Sequence, residues 1–139
     1  MTVTTTSRPT GHPGYSETLP REPESAATAR RLVRTACAAW ELEELTEDGA
    51  LIVSELVANA VQHARRESIR VVIDRPGGAC VRIGVVDFSK VLPEPKVPDD
   101  DEEGGRGLAL VAELADHWGT EPLPWGKRVW AELRGKEHG

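Results

Sequence analysis

The sequence predicts an α/β domain in which one mixed or antiparallel sheet carries its helices on one face. Apolar residues recur at three- and four-residue steps in two long segments, as in amphipathic helices, and alternate with polar ones in several short segments, as in strands. The predicted order, β-α-α-β-β-loop-α-β-β, leaves few strands that parallel crossovers could join. A single sheet covered by helices is therefore the simplest architecture.

Length and composition limit the class of protein. The chain has 139 residues, which suits one domain, and it is 39% hydrophobic but only 4% aromatic, so aliphatic side chains must fill the core. The net charge of −6 disfavours general nucleic-acid binding. Cys37 and Cys80 are far apart and form no CxxC motif or Cys/His cluster, so we expect neither a zinc site nor a disulfide framework. With no signal-peptide pattern and no long apolar run, we expect a cytoplasmic protein that binds no membrane.

The first half of the chain predicts a tail, a strand and two helices. We expect residues 1–14 to be a disordered tail, residues 15–134 to form the domain and residues 135–139 to be a second tail. Tyr15–Leu19 is a short strand candidate. The helices are predicted over Glu24–Trp40 and Thr46–Ala64, each with an apolar stripe at helical spacing.

The second half predicts a hairpin, a long loop and an α-β-β unit. Strands are predicted over Ser68–Asp74 and Ala79–Phe88 around a Pro-Gly-Gly turn. The segment Ser89–Glu103 holds three prolines and five consecutive acids, Asp99–Glu103, and predicts a loop long enough to suggest a function such as a lid. A short helix, Gly105–Ala115, precedes two further strands, Asp116–Glu121 and Arg128–Leu133.

Glu55 and Asn59 are the first candidate functional pair, and His63 continues their stripe. The spacing of four places all three on one face of the second helix, at the edge of its apolar stripe. An amide oxygen is a suitable ligand for Mg²⁺, and a carboxylate can deprotonate a hydroxyl or water nucleophile. The alternative is a pair of ordinary polar residues facing solvent on an amphipathic helix, and spacing alone does not decide between the two.

The run Gly104-Gly105-Arg106-Gly107-Leu108 is the second candidate. Glycines allow positive φ and close approach of the backbone to a ligand, and a helix N-terminus offers free N–H groups to an anion beside the charge of Arg106. It is neither the GxxxxGK[ST] phosphate loop nor a dinucleotide fingerprint. A flexible linker that ends in a helix cap is the alternative.

Asp87 is the third candidate, near the end of a strongly apolar strand. A carboxylate there can accept a hydrogen bond from an exocyclic amine such as that of adenine. It could equally be an ordinary aspartate that ends a strand.

In this order, the three segments resemble the GHKL ATP-binding superfamily of gyrase, heat-shock chaperone, histidine kinase and mismatch-repair ATPases. Within it the chain is similar to the bacterial anti-sigma factor serine/threonine kinases. Ser54–Ala64 matches the N box of that family, Asp87 takes the place of the G1 aspartate, and Gly104–Leu108 matches the G2 box. The resemblance covers about residues 15–134.

The resemblance implies a two-layer α/β sandwich with a mixed, mostly antiparallel sheet that binds ATP and Mg²⁺. By position, Asn59 would bind Mg²⁺, Glu55 would be the general base and Asp87 would bind adenine. The side chain of His63 and the segment made of Gly105, Arg106, Gly107 and Leu108 would complete the ATP site, with Ser89–Glu103 as its lid. The G1 box usually reads Asp-x-Gly, whereas this chain has Asp87-Phe88-Ser89.

The resemblance also implies a regulatory kinase that inhibits a sigma factor and phosphorylates a Ser or Thr of a small antagonist protein. A homodimer is suggested as well. The alternative is a non-catalytic module that binds a partner in an ATP-dependent way. A histidine kinase is disfavoured, because none of the four histidines is set in a dimerisation helix pair.

Overall fold

The fold is described from a computed structural model, which defines residues 3–7, 13–63, 66–88 and 103–135. The strands are β1 (Val3–Ser7), β2 (Pro13–Pro20), β3 (Ser68–Asp74), β4 (Cys80–Phe88), β5 (His117–Leu123) and β6 (Gly126–Arg134). The helices are α1 (Ser25–Ala39), a 3-10 turn at Glu43–Leu45, α2 (Thr46–His63) and α3 (Glu103–Leu114).

The strands form one six-stranded sheet in the order β1-β2-β3-β4-β6-β5. The predicted α/β class, with a mostly antiparallel sheet, is confirmed. The prediction allowed parallel pairs, but every pairing within the described chain is antiparallel. Three of these pairings, β1–β2, β3–β4 and β5–β6, are hairpins, whose strands follow each other directly along the chain and are therefore antiparallel.

One face of the sheet forms the core with the helices. The central strands alternate, and their inward side chains are at most 5% exposed: Ile69, Val71, Ile73, Val81, Ile83, Val85, Val129, Ala131 and Leu133. The ladder Val71–Val85–Val129 shows how these side chains align across β3, β4 and β6. Helix α1 contributes Leu32, Val33 and Ala36 to the same cluster. This aliphatic layer was predicted by the periodicity of the sequence.

Helix α2 lies along β4, and its direction positions the candidate site. Near its start, a Cβ placed on Gly49 would be 2.9 Å from Val33 Cγ1 and 3.4 Å from Ile83 Cδ1, so α1 and β4 both approach its backbone. At its end, His63 is close enough to Asp87 to act on the pKa of that carboxyl. The helix therefore runs from the middle of β4 towards the end of that strand.

The opposite face of the sheet carries polar and aromatic side chains. The Arg82 guanidinium pairs with Glu132 and lies over the ring of Trp130, 5.6 Å from its centroid. Gly119 packs against the same ring, since a Cβ there would be 3.1 Å from Trp130. No helix of the described ranges is long and apolar enough to cross a membrane.

Two predicted boundaries are corrected by the structure. The expected disordered tail, residues 1–14, instead supplies β1 and the first two residues of β2. An edge strand needs only backbone hydrogen bonds, and Val and Thr favour extended backbone, so the segment needs no apolar core of its own. The predicted C-terminal tail, residues 135–139, begins one residue too early. The Gly135 N–H donates a hydrogen bond to Ala79 O at 2.7 Å, so this residue is held to the domain. Residues 136–139 lie outside the described part.

Candidate functional site

The polar pair on α2 lies where the helix leaves the core. Asn59 is only 7% exposed, whereas Glu55, one turn earlier, is half-buried and His63 is exposed. These three residues therefore do not form an ordinary stripe of solvent-facing side chains, because the amide of the middle residue is buried. Arg30 of α1 donates to Ser54 Oγ at 3.0 Å, which ties α1 to α2 beside Glu55. The sequence analysis did not identify Arg30 as part of the site's framework.

Asp87 is the most deeply buried of the candidate acids, at 4% exposed. It is the penultimate residue of β4 and faces the helices. Burial raises the pKa of this carboxyl above its ordinary value, while Lys127, His63 and the backbone N–H of Lys127 oppose that rise. A buried carboxylate that is only partly compensated is costly, and such groups concentrate at binding sites.

Lys127 is a member of the site that the sequence analysis missed. It is the ladder partner of Asp87, since β6 pairs with β4, and its Nζ lies 3.9 Å from Asp87 Oδ2. No local pattern in the sequence marks it, because its role depends on β6 being inserted between β4 and β5. Only the strand order brings it to the site.

The glycine-rich segment is helical from its first residue, so the helix starts earlier than predicted. Helix α3 begins at Glu103, two residues before the predicted start, so Gly104, Gly105, Arg106 and Gly107 lie in its first turns. Among the described glycines, positive φ occurs only at Gly78. The glycines here therefore do not act through positive φ. The first four N–H groups of the helix remain free of intrahelical partners, and they belong to this same segment.

Helix α3 packs on α2 and β5, so it belongs to the same layer of helices as α2. Leu108 is half-buried against the core beside Val111. Of the predicted lid, residues 89–102 lie outside the described part, and Glu103 is the first residue of α3 rather than loop.

The polar groups of the candidate site fit a nucleotide whose phosphates bind the cation. Among the residues that the structure describes, no group of three or more His, Cys, Asp or Glu side chains is arranged to hold a metal ion. Mg²⁺ bound mainly through phosphate oxygens needs only one or two protein oxygens, and the side-chain oxygen of Asn59 is of the type that Mg²⁺ accepts. The buried Asp87 carboxylate then suits a base, and the start of α3 suits an anion.

A helix-covered antiparallel sheet with this arrangement of polar groups defines an α/β nucleotide-binding domain. A family model described as "Histidine kinase-like ATPase domain" matches residues 19–132. The match spans most of the chain, and the protein belongs to this family of ATP-binding domains. The resemblance found in the sequence is thereby confirmed at the level of the superfamily.

A solved structure with the same fold is the histidine kinase domain of the blue-light activated histidine kinase EL346 from Erythrobacter litoralis. The two share 22% sequence identity with a TM-score of 0.51, and the match covers 84% of this chain but 61% of that one. At this identity the likeness establishes the fold alone. No curated protein sequence matches the chain significantly.

Proposed function

We propose that the protein is a cytoplasmic regulatory kinase of the anti-sigma factor type, which uses ATP and Mg²⁺ to phosphorylate a Ser or Thr of a small antagonist protein. One observation supports this above the rest. The half-buried Glu55 and the buried Asn59 share a face of α2, and that helix ends beside the buried Asp87. The proposal also includes binding of a sigma factor and formation of a homodimer.

Each residue has a distinct role in the proposed reaction. Asp87 accepts a hydrogen bond from the adenine amine, and Asn59 would bind Mg²⁺. The segment made of Gly105, Arg106, Gly107 and Leu108 surrounds the phosphates, and His63 lies at the edge of the site. Mg²⁺ held there would supply charge neutralisation on the phosphates. Catalysis of this type consists mainly of positioning and charge neutralisation.

Glu55 is the proposed general base, and its half-buried position suits that role. The acceptor hydroxyl of an external protein must reach the base, which a fully buried carboxylate would prevent. The hydroxyl proton passes to Glu55 as the acceptor oxygen bonds to the γ-phosphorus. The bond between the γ-phosphorus and its bridging oxygen breaks, and ADP leaves.

The test measures binding and transfer separately. Purified protein is incubated with labelled ATP, Mg²⁺ and candidate antagonist proteins, and ATP affinity is measured by calorimetry. We expect Glu55→Gln to reduce transfer about 100-fold or more, because a positioned base contributes on that order, while ATP affinity stays close to that of the unsubstituted protein. Asn59→Ala is expected to weaken Mg²⁺-dependent binding of ATP.

Matched controls come from the same helix. Glu47→Gln changes an exposed carboxylate and Gln62→Ala removes an exposed amide, and both should leave transfer and affinity unchanged. ATP binding without transfer to any antagonist would favour the alternative, a non-catalytic module whose partner binding depends on ATP. Absence of ATP binding at millimolar concentration would overturn the nucleotide-binding role itself.

A further inference from the structure

The strand β1 leaves one edge of the sheet without a neighbouring strand. Within the described ranges β1 pairs only with β2, and the strand order places β5 at the opposite edge. An edge strand presents a row of backbone N–H and C=O groups with which another strand can pair. Because β1 precedes residue 19, where the match to the family begins, this edge is an addition to the matched domain.

The two edges of the sheet differ in their protection against such pairing. The edge strand β5 carries an exposed charge at Glu121, and the neighbouring Pro122 has no N–H to donate. Charged side chains and proline are the usual protection of an edge. β1 has the sequence Val-Thr-Thr-Thr-Ser, with no charge and no proline, and Val and Thr favour extended backbone. β1 is therefore the edge that is open to a further strand.

The hydrogen bonds of β2 show which backbone groups of β1 point away from it. In an antiparallel ladder, successive residues of a strand direct their N–H and C=O groups to opposite neighbours. Directly after β2, Arg21 donates its N–H to Glu67 O at 2.7 Å, on the side of β3. Counting back from it, the odd-numbered residues of β2 bond towards β3 and the even-numbered ones towards β1. Pro13 and Pro20 agree with this assignment, because neither lies where it would have to donate to its partner strand.

The register of β1 against β2 then identifies the outward groups. Val3, Thr5 and Ser7 lie opposite odd-numbered residues of β2. Because those residues bond towards β3, the three residues of β1 direct their N–H and C=O groups away from the sheet. Each has one donor and one acceptor, so three donors and three acceptors line this edge.

We propose that two copies of the chain join through β1, in an antiparallel two-fold pairing centred on Thr5 that makes one continuous sheet. Thr5 is then opposite Thr5 of the second copy and Val3 is opposite Ser7, so every outward donor meets an acceptor. Thr4 is opposite Thr6, in a pair without hydrogen bonds between its members. Any shift of register leaves outward groups unpaired. The inference rests on the homodimer of the proposed function and assigns its interface.

Symmetry and charge favour a second copy over an unrelated strand. Two identical antiparallel strands are related by a two-fold axis, so one segment supplies both sides of the contact. Each chain has a net charge of −6, so two copies repel each other unless they meet at an uncharged segment such as β1. Threonines opposite each other on neighbouring strands also pair favourably. Since only five residues of each copy take part, we expect a dimer that dissociates on dilution.

The test is sedimentation velocity of the full chain between about 1 µM and 500 µM, a range that detects a weak dimer. Thr5→Pro removes an outward N–H but none of the N–H groups that bond β1 to β2. Two intermolecular hydrogen bonds are lost, so the dimer dissociation constant should rise about tenfold or more. Thr5→Val keeps the N–H and is the matched control, which should dimerise like the unsubstituted protein. Circular dichroism and ATP affinity show that each variant is folded.

An exchange of charges tests the register. The Thr4→Lys/Thr6→Lys variant places like charges opposite each other across the two-fold axis, so it should be monomeric. Thr4→Lys/Thr6→Glu places opposite charges in the same pairs and should restore the dimer. Equal association of these two variants would overturn the proposed register.

The outcomes separate this interface from the rest of the proposed function. A monomer at every concentration would overturn the β1 interface and the homodimer, but not ATP binding or phosphoryl transfer, which are measured separately. A dimer that is unchanged in both Thr5→Pro and Thr4→Lys/Thr6→Lys would overturn the β1 interface alone, and the homodimer would use another surface. If Thr5→Pro fails to fold, the comparison of the two charge variants decides the question.

Discussion

At the scale of single residues, the buried Asp87 shows how a binding group reduces the stability of the fold that carries it. The residue is 4% exposed, and burial raises the pKa of its carboxyl more than Lys127 and His63 lower it. The folded state therefore resists ionisation of a group that is ionised at neutral pH when the chain is unfolded. The buried carboxylate of Asp87 therefore lowers the free energy of unfolding, but it provides a hydrogen-bond acceptor for a ligand.

The pH dependence of this cost has a definite sign. Because the folded pKa lies above the unfolded value, the folded state binds more protons between the two values, and stability falls as pH rises through that window. We expect Asp87→Asn to raise the melting temperature at pH 7, with the difference vanishing near pH 3, where both states are protonated. The variant should also bind ATP about tenfold more weakly or worse, since a charged acceptor is lost.

Circular dichroism melts across that pH range test the stability part. Asp48→Asn is the control, because Asp48 is exposed and lies in the first turn of α2, away from the site. An Asp87→Asn variant that is less stable than the unsubstituted protein at pH 7 would contradict the assignment of a net burial cost.

The two cysteines make a second prediction at this scale. Cys37 is fully buried and Cys80 is 9% exposed, and burial is the main cause that raises the pKa of each thiol. The thiolate is the reactive form, so both should react slowly with a thiol reagent at pH 8 in the native state. Unfolding in guanidinium should release two fast-reacting thiols. Rapid reaction of either one in the native protein would show that its site opens.

At the scale of elements, the packing of α2 depends on the absence of a side chain at Gly49. A Cβ there would lie 2.9 Å from Val33 Cγ1, closer than side-chain carbons approach, and 3.4 Å from Ile83 Cδ1. Although alanine is the better helix former, we expect Gly49→Ala to destabilise the fold by about 1–3 kcal/mol through overpacking. The separation of α1 and α2 would have to increase.

Chemical denaturation measures that change, and Gly77 provides the control. Nothing lies within 4 Å of a Cβ at Gly77, so Gly77→Ala should alter the free energy of unfolding by less than about 1 kcal/mol. Equal stabilities for the two variants would show that α1 can move away from α2 without cost.

The same scale shows what the sequence could and could not predict. The helices α1 and α2 and the hairpin β3–β4 were predicted within a few residues, because hydrophobic periodicity and turn residues are local signals. The strand β1 was missed because an edge strand made mainly of Thr has no apolar alternation. The start of α3 was placed two residues too late, at Gly105, because glycine is a poor helix former and Glu103 was assigned to the preceding loop.

The sequence also predicted some residues of the candidate site and missed others. Glu55, Asn59 and Asp87 carry recognisable motifs, and the structure brings the end of α2 to Asp87. Lys127 could not be identified, since its place opposite Asp87 depends on a strand order that no short stretch of sequence encodes. The roles of Glu55, Asn59, His63 and Gly105–Leu108 in ATP binding remain predictions.

At the scale of the whole molecule, the site joins elements from both halves of the chain. Helix α2 and strand β4 come from the first 88 residues, and α3 and β6 come from the last 37. A ligand that contacts all of them binds only the folded state, so it should stabilise the domain as a unit.

We therefore expect ATP with Mg²⁺ to raise the melting temperature. At about 100 times the dissociation constant the gain is about 2.7 kcal/mol, or roughly 5–15 °C for a domain of this size. Thermal denaturation with increasing ATP measures this shift. Inorganic triphosphate is the control for simple anion binding, and a shift of equal size with triphosphate would indicate that the base contributes nothing.

The strand order also determines how the chain can fold. The hairpins β1–β2, β3–β4 and β5–β6 each join neighbours in sequence, so they close short loops and can form early. Only the pairings β2–β3 and β4–β6 bridge distant segments, with helices in the intervening chain. The β4–β6 pairing is the one that places Lys127 opposite Asp87. The contact between Asp87 and Lys127 therefore depends on a pairing that must close a long stretch of chain.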